Sequence, residues 1–400
     1  MTVVLDVGTT KVLVVAAEVS ARGCRVVGYS RVPSRGLRRG AVVDLEEAAA
    51  AVSEAAGEAE RMVGSPLRRV LLAVGGPHLF SVNHRGVVAV ARPEEEITEE
   101  DLERVMEAAR LVPLTRVGEA HEVIEIIPRQ YVVDGCEGVR DPLGMMGSRL
   151  ELEAHVITGI SSYVQNLYRV VERAGLEIEG VFAAIHAAGE AVLTPDEKEL
   201  GVALADIGGG TTDLAIYQRG SLSFSRSLPL GGEQITGDLA YGLGTTLAQA
   251  EVLKMEYREG GSSPLRVSEV SGQGVKEVAA ETVGEIMRAR LREILEMAFG
   301  EFRAAGYGSL PGGLVLTGGV ASTEGILPLA REITGGPVRV GWPEEVAGAA
   351  DSLLLPQAAV ALGGLRLAAA RHRVQPVVAR VGKAAWKRIR GFRTWLREVF

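Results

Sequence analysis

Two carboxylate–glycine–threonine clusters carry the recognisable chemistry of this chain of 400 residues, and their leading carboxylates, Asp6 and Asp206, stand 200 positions apart. The first cluster is Val3-Val4-Leu5-Asp6-Val7-Gly8-Thr9-Thr10-Lys11. The second is Ala203-Leu204-Ala205-Asp206-Ile207-Gly208-Gly209-Gly210-Thr211-Thr212-Asp213. In each, an apolar strand ends in Asp, runs through Gly and Thr, and returns as a second apolar strand, Val12 to Ala16 or Leu214 to Tyr217. Glycine lets the backbone turn tightly and approach an anion closely. Successive N–H groups in such a turn form an anion-binding concavity. Threonine hydroxyls add hydrogen bonds, and an Asp at the strand end holds Mg²⁺, usually through retained waters. Two such hairpins facing each other grip a nucleotide's phosphates from both sides. Asp-x-Gly-Thr-Thr alone reads equally well as an ordinary glycine-containing hairpin. The longer second copy, and its pairing with the first, favour phosphate chemistry.

The elements that must position these turns follow from patterning. Gly23 to Val32 reads as a third strand, Asp44 as the cap of a helix over Leu45 to Met62, and Val70 to Val74 as a further strand. Residues 80 to 160 read as an insertion with short β-rich runs (Val87 to Val90, Tyr131 to Val133, Leu150 to Val156). Its one helix, Glu99 to Leu111, starts after Thr98. Helix Ser161 to Ala174, strand Gly180 to Ala183 and helix Ala187 to Leu193 complete a first α/β half. The second half opens at Gly201, with hairpins over Val202 to Leu228. A helical middle follows (Gly237 to Glu259, then Val275 to Ala305), and then a strand and turn over Gly313 to Val320. No short-period repeat is present, which excludes solenoids and propellers.

Composition agrees with a globular chain of more than one domain, 47% hydrophobic and 24% charged. The two cysteines, Cys24 and Cys136, belong to no disulfide framework or Cys/His zinc cluster, and fit a reducing cytosol. Asp6 within the first apolar run argues for a strand and against a signal peptide. No uncharged apolar stretch reaches the roughly 18 residues of a membrane span. Charge is uneven. Residues 371 to 400 hold nine Lys/Arg and one acid, Glu398, in a chain of net charge −8, so the remainder carries −16. A basic tail on an acidic body points to an anionic partner for the tail and away from nucleic acid for the body.

The two hairpins and the late Gly318-Gly319 turn resemble the actin, Hsp70 and sugar-kinase superfamily. That resemblance implies an α/β, actin-like (duplicated RNase H-like) ATPase fold, two lobes around a nucleotide cleft, with ATP and Mg²⁺ as ligands. It implies phosphate contacts from Asp6, Gly8, Thr9, Thr10, Lys11, Asp206, Gly208, Gly209, Gly210, Thr211, Thr212 and Asp213, with Mg²⁺ held by Asp6 and Asp206 through water. Gly318, Gly319 and Val320 would lie against the adenosine. Glu251 and Lys254, three apart on one helix face, would reach the ribose and adenine; their plain alternative is a helix ion pair.

Within the superfamily the chain most resembles the FtsA family of bacterial cell-division proteins. The resemblance rests on Pro33-Ser34-Arg35-Gly36 with Gly40-Ala41-Val42-Val43-Asp44, Ile126-Ile127-Pro128-Arg129-Gln130-Tyr131, and Asp141-Pro142-Leu143-Gly144. Ala191-Val192-Leu193-Thr194 before Asp196-Glu197, and Trp386 to Phe400, carry it further. It implies subdomain 1A (1–80, 161–195, 345–370), an inserted 1C (81–160), 2A (196–232, 300–344) and 2B (233–299). A linker (371–382) and a membrane-targeting helix (383–400) would follow. It also implies a protein that polymerises at the cytoplasmic face of the cell membrane, peripherally and at the division site, and anchors the FtsZ ring there. The implied partners are the FtsZ C-terminal tail on 2B (near Arg288, Arg290 and Arg292), further copies in a filament, anionic inner-membrane lipids, and other division proteins through 1C. A PilM-like pilus scaffold and a small-molecule kinase are the neighbouring readings. One departure bears on mechanism. Where superfamily ATPases orient the attacking water with Glu or Gln, this chain has Ala184, so slow hydrolysis is expected, with Glu190 or Asp213 as substitutes.

The tail has its own logic. Trp386, Ile389, Phe392, Trp395, Leu396 and Val399 recur at three- and four-residue steps, while Lys387, Arg388, Arg390, Arg393 and Arg397 cover the other faces. Basic residues on one side and Trp, Phe and Leu on the other describe a helix lying in a membrane interface. The competing readings are a partner-binding helix and one docked on its own domain.

Overall fold

The first carboxylate cluster ends a central strand, β1 (Thr2–Val7), which pairs antiparallel with β2 (Lys11–Ser20); β2 in turn pairs with β3 (Gly23–Pro33). The computed structural model describes residues 1–20, 23–90, 96–110, 120–258, 264–270 and 274–373. A two-strand hairpin, β4 (Leu37–Arg38) and β5 (Ala41–Val42), precedes helix α1 (Leu45–Val63). The Asp44 carboxylate caps α1, accepting from the N–H groups of Glu46 and Glu47 at 3.0 Å each. Its buried face is almost all alanine, which lets the helix lie close on the sheet. Removing the cap leaves two end N–H groups without that acceptor. Asp44→Ala is therefore expected to cost about 1 kcal/mol, read as a lower urea midpoint at unchanged slope.

β6 (Arg69–Val74) returns parallel to β1. The chain then leaves for a separate four-stranded sheet built from β7 (Leu79–Ala89), β8 (His121–Val133), β9 (Cys136–Val139) and β10 (Arg149–Ile160), ordered β7-β10-β8-β9. Helix α2 (Glu99–Arg110) packs on it. The short β-rich runs expected in this segment are thus parts of strands of 11 to 13 residues. Their irregular alternation reflects burial on both faces of β10 and two register shifts against β8. Helix α3 (Ser161–Arg173) leads to β11 (Glu177–Ala183), parallel to β6, and then to α4 (Ala184–Val192) and α5 (Pro195–Leu200).

The second half repeats the plan. β12 (Val202–Ile207), β13 (Thr212–Gln218) and β14 (Ser221–Leu228) form the antiparallel part. Helices α6 (Gly232–Gly242) and α7 (Leu247–Glu256), the ribbon β15 (Leu265–Ser268) and β16 (Val275–Val278), and helix α8 (Ala280–Ala304) form one excursion. β17 (Leu314–Thr317), α9 (Ile326–Thr334) and β18 (Val338–Val340) complete the sheet, and α10 (Ala359–Arg373) follows. The orders β11-β6-β1-β2-β3 and β18-β17-β12-β13-β14 match strand for strand. Val275–Val278 is a strand, not the start of a helix, because it pairs with Leu265–Ser268, a partner that helical periodicity does not reveal.

Helix α10 crosses α4 so closely that a Cβ on Gly363 would collide with the Ala187 carbonyl, so the crossing tolerates only glycine. The inserted sheet also grips the second half. Ser81 Oγ donates to Ser225 O at 2.7 Å and Asn83 Nδ2 to Ser223 O at 2.9 Å, while buried His155 sits between Asn83 Oδ1 (2.8 Å) and Ser225 Oγ (2.9 Å). Burial first, and then the Arg129 charge, lower His155 to about 3, which keeps it a neutral hydrogen-bonding link. Among the described residues no helix is long and apolar enough to cross a membrane. The expected interfacial helix 383–400 and most of the linker lie outside the described residues; 371–373 belong to α10.

Candidate functional site

The two carboxylate turns are built alike and meet. Gly8 N–H donates to Lys11 O and Gly208 N–H to Thr211 O, each at 2.9 Å, so both hairpins close in the same way. Their tips oppose each other. A Cβ on Gly209 would collide with Thr10, and one on Gly210 would stand 2.6 Å from Thr9 Oγ1. Only glycine at these positions leaves backbone N–H groups open to a ligand between the tips. Gly318, with φ of 85°, brings the β17 turn against the Asp206 carboxylate, where a side chain would not fit.

Asp6, Asp206 and Asp213 converge beneath the tips. Asp206 and Asp213 are directly opposite in the β12–β13 ladder. Burial, with the Asp213 charge adding to it and Lys11 opposing, raises Asp206 to about 7. Burial likewise raises Asp213 to about 6, against hydrogen bonds that include the Thr211 hydroxyl and the Gly76 N–H. Burial raises Asp6 too, partly offset by Lys11, whose ammonium lies 3.9 Å away. Three carboxylates, Asp6 buried and Asp206 and Asp213 half-buried, short of cationic partners, suit a hard divalent cation with oxygen ligands. Among the described residues no group of three or more His, Cys, Asp or Glu side chains is placed to hold a metal directly. An all-oxygen donor set of this kind would suit Mg²⁺ whose shell is completed by waters.

Glu251 and Lys254 form the helix ion pair at 2.7 Å, and Lys254 also reaches the Thr236 hydroxyl (2.9 Å) and Gly232 O (3.3 Å). Val320 adjoins the same glycine, 3.0 Å from its Cβ position, and Gly232 N–H donates to Gly208 O at 2.9 Å. The pair is thus joined to the second phosphate turn through Gly232. The Gly231-Gly232 step was not singled out from spacing, although two adjacent glycines after a strand were the available signal.

Ala184, the first residue of α4, faces the site. Its methyl lies 3.1 Å from the Cβ position of Gly75, which is itself 3.7 Å from Asp213 Oδ2. Glu190, the other substitute named for the water-orienting role, is already engaged in ion pairs. Its carboxylate is held by Lys198 at 2.8 Å and lies 3.8 Å from His186 Nε2, in a half-buried chain that continues from His186 Nδ1 to Glu125 of the inserted sheet (3.1 Å). Burial works against the charged form of His186, but Glu125 and Glu190 outweigh it and raise its pKa. Asp213 is the candidate that the fold keeps at the tips.

The arginines named on α8 divide. Arg290 is taken up by Asp238 (2.6 Å) and Glu293, and Arg292 by Glu332 (2.8 Å) and Glu296. Among the described residues Arg288 makes no hydrogen bond or ion pair; it lines a cleft of about 480 Å³ with Arg258, Met287 and Leu291, and with the acidic Glu281, Glu285 and Glu324.

Residues 76–158 match the family described as "SHS2 domain inserted in FTSA", and residues 203–363 match "Cell division protein FtsA". The chain is 40% identical over 379 residues to the cell division protein FtsA of Bacillus subtilis (strain 168), covering 93% of this chain and 84% of that protein. It is 34% identical over 413 residues to the Escherichia coli (strain K12) protein of the same name, covering 99% and 97%. Among solved structures it resembles a PilM–PilN type IV pilus biogenesis complex, with a TM-score of 0.64 at 17% identity over 92% of this chain and 98% of that one. It also resembles MreB5 of Spiroplasma citri bound to ADP, with a TM-score of 0.52 at 15% identity over 92% and 95%. At those identities the likeness shows the fold, which is actin-like.

Proposed function

The chain belongs to the FtsA family of bacterial cell-division proteins, and on that footing we propose that it is an ATP-binding, actin-like adaptor that polymerises on the cytoplasmic face of the membrane and anchors the FtsZ ring there. The observation that carries the nucleotide part is the meeting of the two glycine–threonine tips above three clustered carboxylates, Asp6, Asp206 and Asp213. Backbone N–H groups of Gly209 and Gly210 and the hydroxyls of Thr9, Thr10 and Thr211 would hold the phosphates, with Asp6 and Asp206 fixing the waters around Mg²⁺. That ion would neutralise phosphate charge. Lys254, Glu251, Gly318 and Val320 would take the nucleoside.

Raised carboxylates make binding depend on pH in a definite direction. Asp206 keeps its proton up to about 7, and a protonated carboxyl does not orient water toward a cation. Affinity for ATP with Mg²⁺ should therefore rise about tenfold from pH 6 to pH 8, as one proton is released. Isothermal titration in buffers of different ionisation enthalpy would read that proton. A methyl at position 184 cannot orient water, so turnover should lie well below the roughly 1–100 s⁻¹ typical of kinases. A coupled phosphate-release assay on highly purified protein checks it.

The membrane part rests on the 386–399 stripe, and FtsZ recruitment rests on family membership. We place the FtsZ tail at the Arg288 cleft, where Arg288 stands beside the apolar side chains of Met287 and Leu291; with Glu281, Glu285 and Glu324 on the same walls, the apolar anchor and a directed Arg288 contact, not net charge, would hold the peptide. Direct titration with the matching FtsZ C-terminal peptide tests this, and saturable binding weakened by Arg288→Glu is the expected result. Absence of binding would favour the PilM-like scaffold.

A further inference from the structure

The turn between β4 and β5 breaks a local rule. Leu37 pairs with Val42 and Arg38 with Ala41, so Arg39 and Gly40 are the two loop residues, and both have positive φ, 50° and 74°. This primed turn strongly prefers Asn, Asp or Gly at its first loop position. Arginine there holds a left-handed backbone at an energetic cost. Such outliers persist where the surroundings over-determine them, and they collect at functional sites.

The surroundings of Arg39 belong to the proposed phosphate site. Gly40 N–H donates to Thr9 Oγ1 at 3.1 Å, and Ser34 N–H donates to Thr10 O at 3.1 Å. Arg39 Cα lies 3.0 Å from the Cβ position of Gly210, and the Gly40 Cβ position lies 3.4 Å from Thr211 Cγ2. The turn thus touches both hairpin tips at once.

Order along the cleft then locates Arg39. Lys254 and Val320 meet at Gly232, Gly232 bonds Gly208, the tips at Gly209 and Gly210 come next, and Arg39 lies beyond Gly210. A nucleotide with its base near Glu251 and Lys254 would end its phosphate chain at Arg39. Arg39 is exposed, and among the described residues its guanidinium makes no hydrogen bond or ion pair. Against the burial that raises Glu233, Arg38 and Arg39 both lower it, Arg38 the more, and the Glu233 N–H bonds Gly209 O at 2.8 Å. What sets Arg39 apart from its neighbour is the contact of its Cα with Gly210. Among the described residues the cation paired with the carboxylate floor is Lys11, and it is beside Asp6.

Resting on the nucleotide reading and deepening it, we propose that Arg39 binds the terminal phosphate of a nucleoside triphosphate and sets the preference of the site for tri- over diphosphate. A guanidinium suits this role because its fork of donors matches phosphate oxygens.

The test measures affinities for the ATP analogue AMPPNP and for ADP, both with Mg²⁺, in the full chain. Arg39→Asn suits a left-handed turn, so the nucleotide-free melting temperature should hold or rise. AMPPNP affinity should fall about tenfold or more, ADP affinity should change by less than about threefold, and Arg39→Lys should restore part of the difference. Arg38→Ala, which removes the same charge one residue away, should alter the ratio far less. An unchanged AMPPNP/ADP ratio in Arg39→Asn, or an equal loss of discrimination in Arg38→Ala, would overturn the assignment while leaving nucleotide binding in place. A wild-type chain that binds neither nucleotide would overturn the site reading itself.

Discussion

Asp206→Ala is expected to lower affinity for ATP with Mg²⁺ by about 100-fold, the scale on which loss of a group orienting a metal's shell acts. The carboxylate ends β12, lies opposite Asp213 and packs against the Gly318 turn, so it faces the tips of both hairpins. Removing it also relieves a buried repulsion, since the Asp213 charge adds to the burial that raises it. The nucleotide-free mutant should accordingly melt no lower than wild type. That separates loss of function from loss of fold. Without Mg²⁺ the gap between mutant and wild type should largely close. A folded mutant with unchanged Mg²⁺-dependent affinity would remove Asp206 from the site.

Trp395→Glu should release the chain from anionic liposomes, with a fall in partitioning of about 100-fold. A large buried aromatic contributes up to about 3 kcal/mol of transfer energy, and the new carboxylate adds repulsion from the lipid charge. Nucleotide affinity should be unaffected, since the site is built from residues 6 to 320. Salt should weaken wild-type binding, because attraction to Lys387, Arg388, Arg390, Arg393 and Arg397 is screened beyond about 8 Å at physiological ionic strength. It should not abolish binding, since Trp386, Phe392 and Trp395 still partition. The mutation should hurt more when polymerisation is blocked, since linked copies bind by effective concentration. A flotation assay reads all three outcomes, and a wild-type chain that stays unbound at high protein concentration would make the tail a protein-binding helix.

What could be read from residues alone was local or repeated. The Asp-Gly-Thr turns announced themselves twice, and the matching sheet orders show why one sequence pattern serves both halves. Asp44 marked the start of α1 because a cap needs only its own next three residues. Contacts between distant segments stayed invisible. The chain from Glu125 through His186 to Glu190 and Lys198 joins an inserted strand to α4 and α5, and nothing at position 190 shows that its carboxylate is already engaged. β16 was hidden for the same reason, its strand character coming from its β15 partner. The Arg39 turn gave a partial signal, a glycine in an Arg-Arg-Gly step, but only its φ and its contact with Gly210 show where the arginine stands.

Co-flotation of FtsZ with this chain on anionic liposomes, with ATP and Mg²⁺ present, tests the adaptor proposal most directly. FtsZ should rise with the vesicles only when the full chain is present, and should stay at the bottom with chain lacking residues 383–400, with Trp395→Glu, or with FtsZ lacking its C-terminal tail. FtsZ that fails to float with a membrane-bound wild-type chain, or that floats equally well without its tail, would contradict it.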